Sequence, residues 1–186
     1  RTAFYKKILF PKASRDTWSS TETTLPEGTT KQDFDKDSVL SRFDHQLKNS
    51  GVNTNHTLNP DFSWSLADIS QIKNYYELDK YILLSPFCSP HITSKKWPYY
   101  NELILMINQK LDNKFKVVVA PGPGEIEEAS KINALCILDN GKALNISQLA
   151  ALIKDSSFVV ANDTGPAHMS AHLGSKGIAL FGSHTT

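Results

Sequence analysis

A turn of small and polar residues follows one of the most apolar stretches of the sequence. Residues 158–161 have the composition of a buried strand, Asp163, Thr164 and Gly165 follow as a tight turn, and Pro166 favours a first helical turn. A helix begins with backbone N–H groups that lack acceptors within the helix, and its dipole is positive there. The turn therefore predicts a phosphate site, in which Gly165 permits close approach and the Thr164 hydroxyl adds a hydrogen bond. A plain capped helix packed on a sheet fits the local pattern equally well.

Two histidines share the helix that follows this turn. His168 and His172 are four residues apart, a spacing that can serve a metal ion. No third ligand is evident, and the residues between them include no glutamate of a zinc-protease motif, so we expect no metal. His168, one turn into the helix, is better assigned to contacting a phosphate or to holding the Asp163 turn in place.

A second polar segment follows the first predicted strand, at 81–86. It contains Lys95 and Lys96 and several hydroxyls, and it ends at Trp97, which we interpret as a packing residue. Because the carboxyl ends of parallel strands lie on one edge of a sheet, this loop and the Asp163 turn should share that edge. A lysine placed there could neutralise a pyrophosphate leaving group. The alternative is a solvated lysine pair before a helix.

A third segment, residues 122–128, places carboxylates where another strand turns into a helix. Acidic residues at a helix start complement its dipole, which accounts for at least one of them. A carboxylate over the sheet edge could instead accept hydrogen bonds from ribose hydroxyls, and Glu127 or Glu125 is the candidate. The glycines here do not match a dinucleotide fingerprint, which disfavours NAD.

The elements that would position these groups alternate along residues 75–186. Short apolar runs alternate with amphipathic stretches, the pattern of successive βα units in a doubly wound, Rossmann-like parallel sheet of the α/β class. We predict strands at 81–86, 115–120, 134–138, 158–161 and 177–181, with helices opened by Pro98, near Glu125, by Ser147 as N-cap, and over 166–173.

Residues 1–74 differ in composition and predict a separate, partly loop-like region. Residues 14–32 are rich in polar side chains without apolar periodicity and predict a loop, whereas 35–48 have the apolar spacing of a helix. Residues 58–64 could form a short extended segment, but their sequence does not decide its structure. The first residue is Arg1 rather than methionine, so we expect a fragment of a longer protein.

The overall composition excludes some classes of function. Twenty basic against 19 acidic residues give a formal net charge of +1, without the basic surplus that nucleic-acid binding needs. The two cysteines indicate a reducing compartment rather than a disulfide framework. No apolar run approaches the length of a membrane span, so we expect a cytoplasmic protein.

Three motifs taken together resemble glycosyltransferase family 9, the heptosyltransferases of lipopolysaccharide core assembly. They are the Lys-Lys-Trp-Pro run at 95–98, the Gly-Pro-Gly-Glu turn at 122–125, and the Asn-Asp-Thr-Gly-Pro-x-His turn at 162–168 before an Ala-Leu-Phe-Gly strand. The resemblance covers about residues 79–186.

This resemblance implies a GT-B fold of two Rossmann-like domains. Residues 75–186 would be the C-terminal, donor-binding domain, truncated at its own C-terminus, and residues 1–74 a remnant of the N-terminal, acceptor-side domain. Roles carried over to this sequence are donor-phosphate contact for Lys95, a pyrophosphate cradle for Thr164, Gly165 and His168, shaping of that cradle for Asp163, and a ribose contact for Glu127.

The resemblance also implies a reaction. It is the transfer of heptose from ADP-heptose to a lipid A–core oligosaccharide acceptor, with inversion and without a metal or other cofactor, and it allows peripheral contact with the inner membrane. The family's general base is an aspartate near the start of the first domain, upstream of this chain, so no catalytic residue is assigned here. We expect donor recognition with little or no turnover by these residues alone.

Three alternatives stay open on the sequence. The first is another GT-B transferase or a nucleotide-sugar epimerase, which would share the phosphate-binding helix and use a different donor. The second is a non-catalytic, nucleotide-binding Rossmann-like module. The third is an α/β domain in which the Asp163 turn is only a helix cap.

Overall fold

The computed structural model of the 186-residue chain describes residues 26–49, 51–55, 61–89 and 91–182. The chain divides into two compact units, residues 1–60 and residues 61–186. Residues 61–74 thus lie in the same unit as the predicted sheet, while the assignment of 1–74 to an acceptor-side domain stays a prediction. None of the helices in the described ranges has the length and apolar character that a bilayer crossing requires.

The described part of the first unit contains two helices, α1 (Lys31–Phe34) and α2 (Val39–Asn49). The helix expected at 35–48 begins only at Val39, because Asp35 ends α1 as its C-cap. The Asp35 carboxylate also forms an ion pair with Arg42 at 3.0 Å, and this pair joins the end of the first helix to the second. Most of the predicted loop at 14–32 lies outside the described residues.

The second unit contains a five-stranded parallel sheet in the order β3-β2-β1-β4-β5. The predicted alternation of strands and helices is confirmed. The strands are β1 (Tyr81–Ser85), β2 (Lys116–Val119), β3 (Leu135–Cys136), β4 (Phe158–Asn162) and β5 (Gly177–Leu180). The helices are α3 (Ser70–Tyr76), α4 (Tyr100–Lys110), α5 (Ile126–Ala129), α6 (Ile146–Asp155) and α7 (Gly165–His172), with 3-10 turns at Ser63–Ser65 and Thr93–Lys95.

The central strand β1 is buried along its whole length because helices cover both faces of the sheet. Successive side chains of a strand point to opposite faces. Tyr81 and Leu83 accordingly belong to the apolar cluster that contains residues of α3 and α6, and Ile82 and Leu84 to the cluster that contains residues of α4. A central strand that is buried on both faces therefore requires a continuous apolar run, as in β1.

Three further segments contain a helix or turn that the sequence placed differently, missed or left undecided. The helix expected from Pro98 begins at Tyr100, since its first hydrogen bond runs from Leu103 N to Tyr99 O. The short helix α3 was not predicted, although Ile72 within it packs in the sheet core. The undecided piece at 58–64 contains a 3-10 turn in its described part.

The predicted N-cap Ser147 is wrong, and the cap is Asn145. Asn145 Oδ1 accepts from Gln148 N at 2.9 Å, while Gln148 Oε1 accepts from Asn145 N at 3.0 Å, so the two residues form a reciprocal capping box. Ser147 lies inside the helix, and its backbone carbonyl accepts from Ala67 N at 3.2 Å.

Replacing the true cap should destabilise the domain more than replacing the expected one. Asn145→Ala removes a side chain that satisfies a first-turn amide, and we expect a loss of about 1 kcal/mol in the free energy of unfolding. Ser147→Ala is the matched control and should change it by less than about 0.5 kcal/mol. Urea denaturation followed by circular dichroism measures both, and equal losses would contradict the capping assignment.

Candidate functional site

The strand order reverses between β1 and β4. From β1 the chain crosses over to β2 on one side of the sheet, and from β4 it crosses over to β5 on the other. The connections that leave two such strands diverge and open a crevice at their carboxyl ends, where open α/β sheets bind ligands. The loop that contains Lys95 and the turn that contains Asp163 leave these two neighbouring strands, so they share one edge of the sheet, as the sequence predicted.

Lys95 and Asp163 meet directly across this crevice. The Lys95 ammonium donates to Asp163 Oδ2 at 2.6 Å and to the Asp163 carbonyl at 3.0 Å. The two side chains are 23% and 11% exposed, so water screens the pair only in part. An ammonium has three protons, and two of them are used here, which leaves one for an incoming acceptor.

The start of α7 offers fewer open amides than the sequence predicted. Asp163 N donates to Leu180 O in the neighbouring strand, and the amides of Ala167 and His168 both donate to Thr164 O. Pro166 has no N–H, so Gly165, the first helical residue, supplies the first-turn amide without an acceptor in the helix.

The side chains beside this amide face the turn itself. The Thr164 hydroxyl donates to Asn162 O at 3.2 Å. His168 Nε2 lies 3.6 Å from Asp163 Oδ1 while most of its ring is exposed, which fits the predicted role of holding the turn. His172 packs edge-on against Phe62. Among the described residues, no group of three or more His, Cys, Asp or Glu side chains could hold a metal ion.

The two candidate ribose carboxylates occupy different settings. Glu125 Oε2 accepts from Gly122 N at 2.8 Å and closes its own turn. Glu127 is exposed in the first turn of α5. The structure therefore brings Lys95, Asp163, Thr164, Gly165 and His168 together, while Glu127 lies on a separate element, α5.

The neighbours of Lys95 attach its loop to the domain. Lys96 forms an ion pair with Glu128 of α5, so the two lysines have different partners. Trp97 is half-buried and packs edge-on against Tyr100 at 5.3 Å between ring centroids, which confirms the packing role that we expected for it. A cleft of about 390 Å³ lies beside this loop, lined in part by Lys96 and Trp97.

Two buried residues next to the site were not predicted from the sequence. Asn162, at the end of β4, is fully buried, and its Oδ1 accepts from the Tyr100 hydroxyl at 3.1 Å. Burial raises the pKa of Tyr100 well above its ordinary value, so the phenol stays protonated as a donor. One sequence signal was available, because asparagine is rare in strands and a buried amide needs partners.

Taken together, these features define a Rossmann-like domain in which a lysine lies beside a helix start at the switch point of the sheet. The chain belongs to glycosyltransferase family 9, the heptosyltransferase family, whose sequence profile matches residues 27–186. The family that the three motifs indicated is thereby confirmed.

Solved structures share the fold. The glycosyl transferase family 9 protein from Veillonella parvula DSM 2008 matches with a TM-score of 0.64 and 18% identity, over 83% of this chain and 46% of that one. E. coli heptosyltransferase WaaC with ADP-2-deoxy-2-fluoro heptose matches with a TM-score of 0.55 and 20% identity, over 77% of this chain and 45% of that one.

These matches confirm the predicted α/β fold class, a doubly wound parallel sheet of the Rossmann-like type found in heptosyltransferases. The chain spans less than half the length of either solved protein. No curated protein matches the sequence significantly.

The Lys95–Asp163 pair should contribute more to stability than its neighbour Lys96–Glu128. Lys95→Met leaves a largely buried carboxylate without its ammonium partner, and we expect a loss of about 1–3 kcal/mol. Lys96→Met is the matched control, with a partner that is 39% exposed, and should cost less than about 1 kcal/mol.

Urea denaturation at pH 7 measures both losses, and the double variant Lys95→Met/Asp163→Asn should recover part of the first. Equal losses in the two single variants, or no recovery in the double variant, would show that the Asp163 carboxylate does not depend on Lys95.

Proposed function

We propose that residues 61–186 bind the diphosphate of a nucleotide sugar at the crevice between β1 and β4, and that ADP-heptose is the donor. The observation that carries this proposal is the meeting of the Lys95 ammonium with the turn that opens α7, at the switch point of a family 9 domain. E. coli WaaC was solved with ADP-2-deoxy-2-fluoro heptose, an analogue of ADP-heptose, which supports the donor class.

The charges at this site favour a diphosphate through several contributions. Asp163 holds the Lys95 ammonium at a fixed place, and it also offsets much of its charge. The remaining proton of the ammonium, the Gly165 amide and the positive end of the α7 dipole supply the attraction. The His168 ring lies beside Asp163 at the same place. In this proposal Thr164 borders the phosphates, and Glu127 approaches the ribose once donor is bound.

The proposed reaction is an inverting transfer of the sugar to a lipopolysaccharide core acceptor. Negative charge develops on the diphosphate as the glycosidic bond breaks, and a fixed ammonium and amide stabilise it without having to reorganise. A base must also take the proton of the acceptor hydroxyl. By family resemblance that base is an aspartate of the first domain, so we propose that this chain alone binds donor with little or no turnover.

The cellular setting follows from the same proposal. The donor is a nucleotide sugar, and the acceptor is held in the inner membrane by its lipid A part. The reaction in this proposal therefore takes place at the cytoplasmic side of the inner membrane, where the protein would act as a peripheral enzyme. A domain that binds a different nucleotide sugar, or one that binds nucleotides without catalysis, would share the diphosphate contacts and differ in its response to ADP-heptose.

Removing the ammonium should weaken ADP binding. Lys95→Ala loses a charge-assisted hydrogen bond, which contributes about 1.5–3 kcal/mol, so we expect at least a tenfold rise in Kd by calorimetry. Lys114→Ala, which removes a largely exposed lysine, is the control and should leave Kd unchanged. Tighter binding of UDP sugars than of ADP-heptose in the same assay would show that ADP-heptose is not the donor. An unchanged Kd for Lys95→Ala would show that the diphosphate does not bind at Lys95.

Filling the space above Gly165 should block the phosphate without harming the fold. A Cβ at Gly165 meets no atom within 4 Å outside the two neighbouring residues, so we expect Gly165→Val to fold while it narrows the approach to the amide. We expect ADP binding to weaken at least tenfold while the free energy of unfolding changes by about 1 kcal/mol or less.

Ala171→Val places the same side chain at an exposed position later in α7 and serves as the control. It should leave the Kd for ADP at the wild-type value. If both valine variants bind ADP as the wild type does, the diphosphate does not approach the start of this helix.

A further inference from the structure

We propose that Asn162 is a positioning residue, whose buried carboxamide fastens the loop after β1 so that Lys95 is held at the crevice. This inference rests on the proposed function for its effect on donor binding, while its effect on Lys95 itself can be measured without any ligand. It concerns a residue to which the sequence pattern assigns no role beyond ending a strand.

The Asn162 carboxamide contacts both ends of the Lys95 loop. Its Nδ2 donates to Pro86 O at 2.8 Å, just after β1 ends, and its Oδ1 accepts from Trp97 N at 3.4 Å, just before α4 begins. The side chain is fully buried, so water does not compete for these hydrogen bonds. A single amide thus joins the beginning and the end of residues 86–97.

Tyr100 fixes the orientation of this amide. Its hydroxyl donates to Asn162 Oδ1 at 3.1 Å and also lies 3.4 Å from Ser85 O. Tyr100 is the first residue of α4, and its side chain is buried. Because the phenol supplies a proton to Oδ1, the amide is oriented with Nδ2 toward Pro86 O.

The next residue along the strand holds Lys95 itself. Asp163 binds the Lys95 ammonium, and its amide donates to Leu180 O, so β5 fixes the position of the turn. Asn162 and Asp163 therefore act on the same loop from one strand end, the first on its backbone and the second on the lysine side chain. The position of the ammonium depends on both contacts.

Two ion pairs also link this loop to the rest of the domain, through lysine side chains and not through its backbone. Lys95–Asp163 is the less exposed of the two, and Lys96–Glu128 joins more exposed charges, a kind of pair that contributes little and weakens with salt. Without the carboxamide, the loop backbone would lose its buried hydrogen bonds at both ends. The Lys95 ammonium would then spend more time in solvent, away from Asp163.

The test is the reactivity of the Lys95 amine in the full chain. Competitive acetylation with a trace of acetic anhydride, read by mass spectrometry, gives the rate at Lys95 relative to exposed Lys114 in the same molecule. In Asn162→Ala we expect this ratio to rise about fivefold or more, the factor that corresponds to about 1 kcal/mol. Tyr100→Phe removes one hydroxyl, and the ratio should rise about twofold or more.

A matched control separates positioning from general loss of stability. Ile153→Val removes one methyl group from a fully buried residue in the cluster on the opposite face of the sheet from Tyr100. It destabilises the domain without touching the loop, so the acetylation ratio should stay at the wild-type value. Tyr100→Phe, which keeps the ring and its packing, decides the question if Asn162→Ala does not fold.

Two outcomes overturn the inference: a wild-type ratio in the folded Asn162 or Tyr100 variant, or an equal rise in Ile153→Val. Calorimetry with ADP forms a second, independent arm, in which Asn162→Ala should raise Kd about as much as it raises Lys95 reactivity. If the wild-type chain binds no ADP, the proposed function fails, and the acetylation ratios still decide the role of Asn162.

Discussion

The parallel pairing of β1 with β4 is the constraint on which the site depends. Residues distant in sequence become neighbours because these two strands lie side by side and end at the same edge. Burial of β1 by helices on both faces fixes its register, since a shift by one residue would exchange the side chains of the two apolar clusters. The position of Lys95 relative to Asp163 is thus a consequence of core packing.

Electrostatics at this edge involve a compromise. A lysine near a helix start would attract phosphate most strongly if it had no anionic partner, but a long flexible side chain has many rotamers to lose. Asp163 restricts Lys95 to one place and reduces its net charge at the same time. A diphosphate, with more charge and more acceptors than a single carboxylate, is the kind of ligand that can use such a partly neutralised ammonium.

The sequence predicted the elements better than it predicted their ends. The strands were found because buried parallel strands are continuous apolar runs, but the cap of α6 was misplaced because serine and asparagine both favour N-caps. The capping box of Asn145 with Gln148 decided between them. The helix α3 is not evident from the sequence because it is short, and so short a helix is stabilised mainly by tertiary packing, here of Ile72 in the sheet core.

The sequence by itself determined the fold class, the family and the two segments that form the site, because apolar periodicity and turn chemistry are local properties of the chain. Tertiary structure alone decided the pairing of Lys95 with Asp163 and the burial of Asn162. Those facts depend on which strands become neighbours and on which side chains lose contact with water. Spacing along the chain does not encode such contacts between distant residues, whose free energies arise only when the core packs.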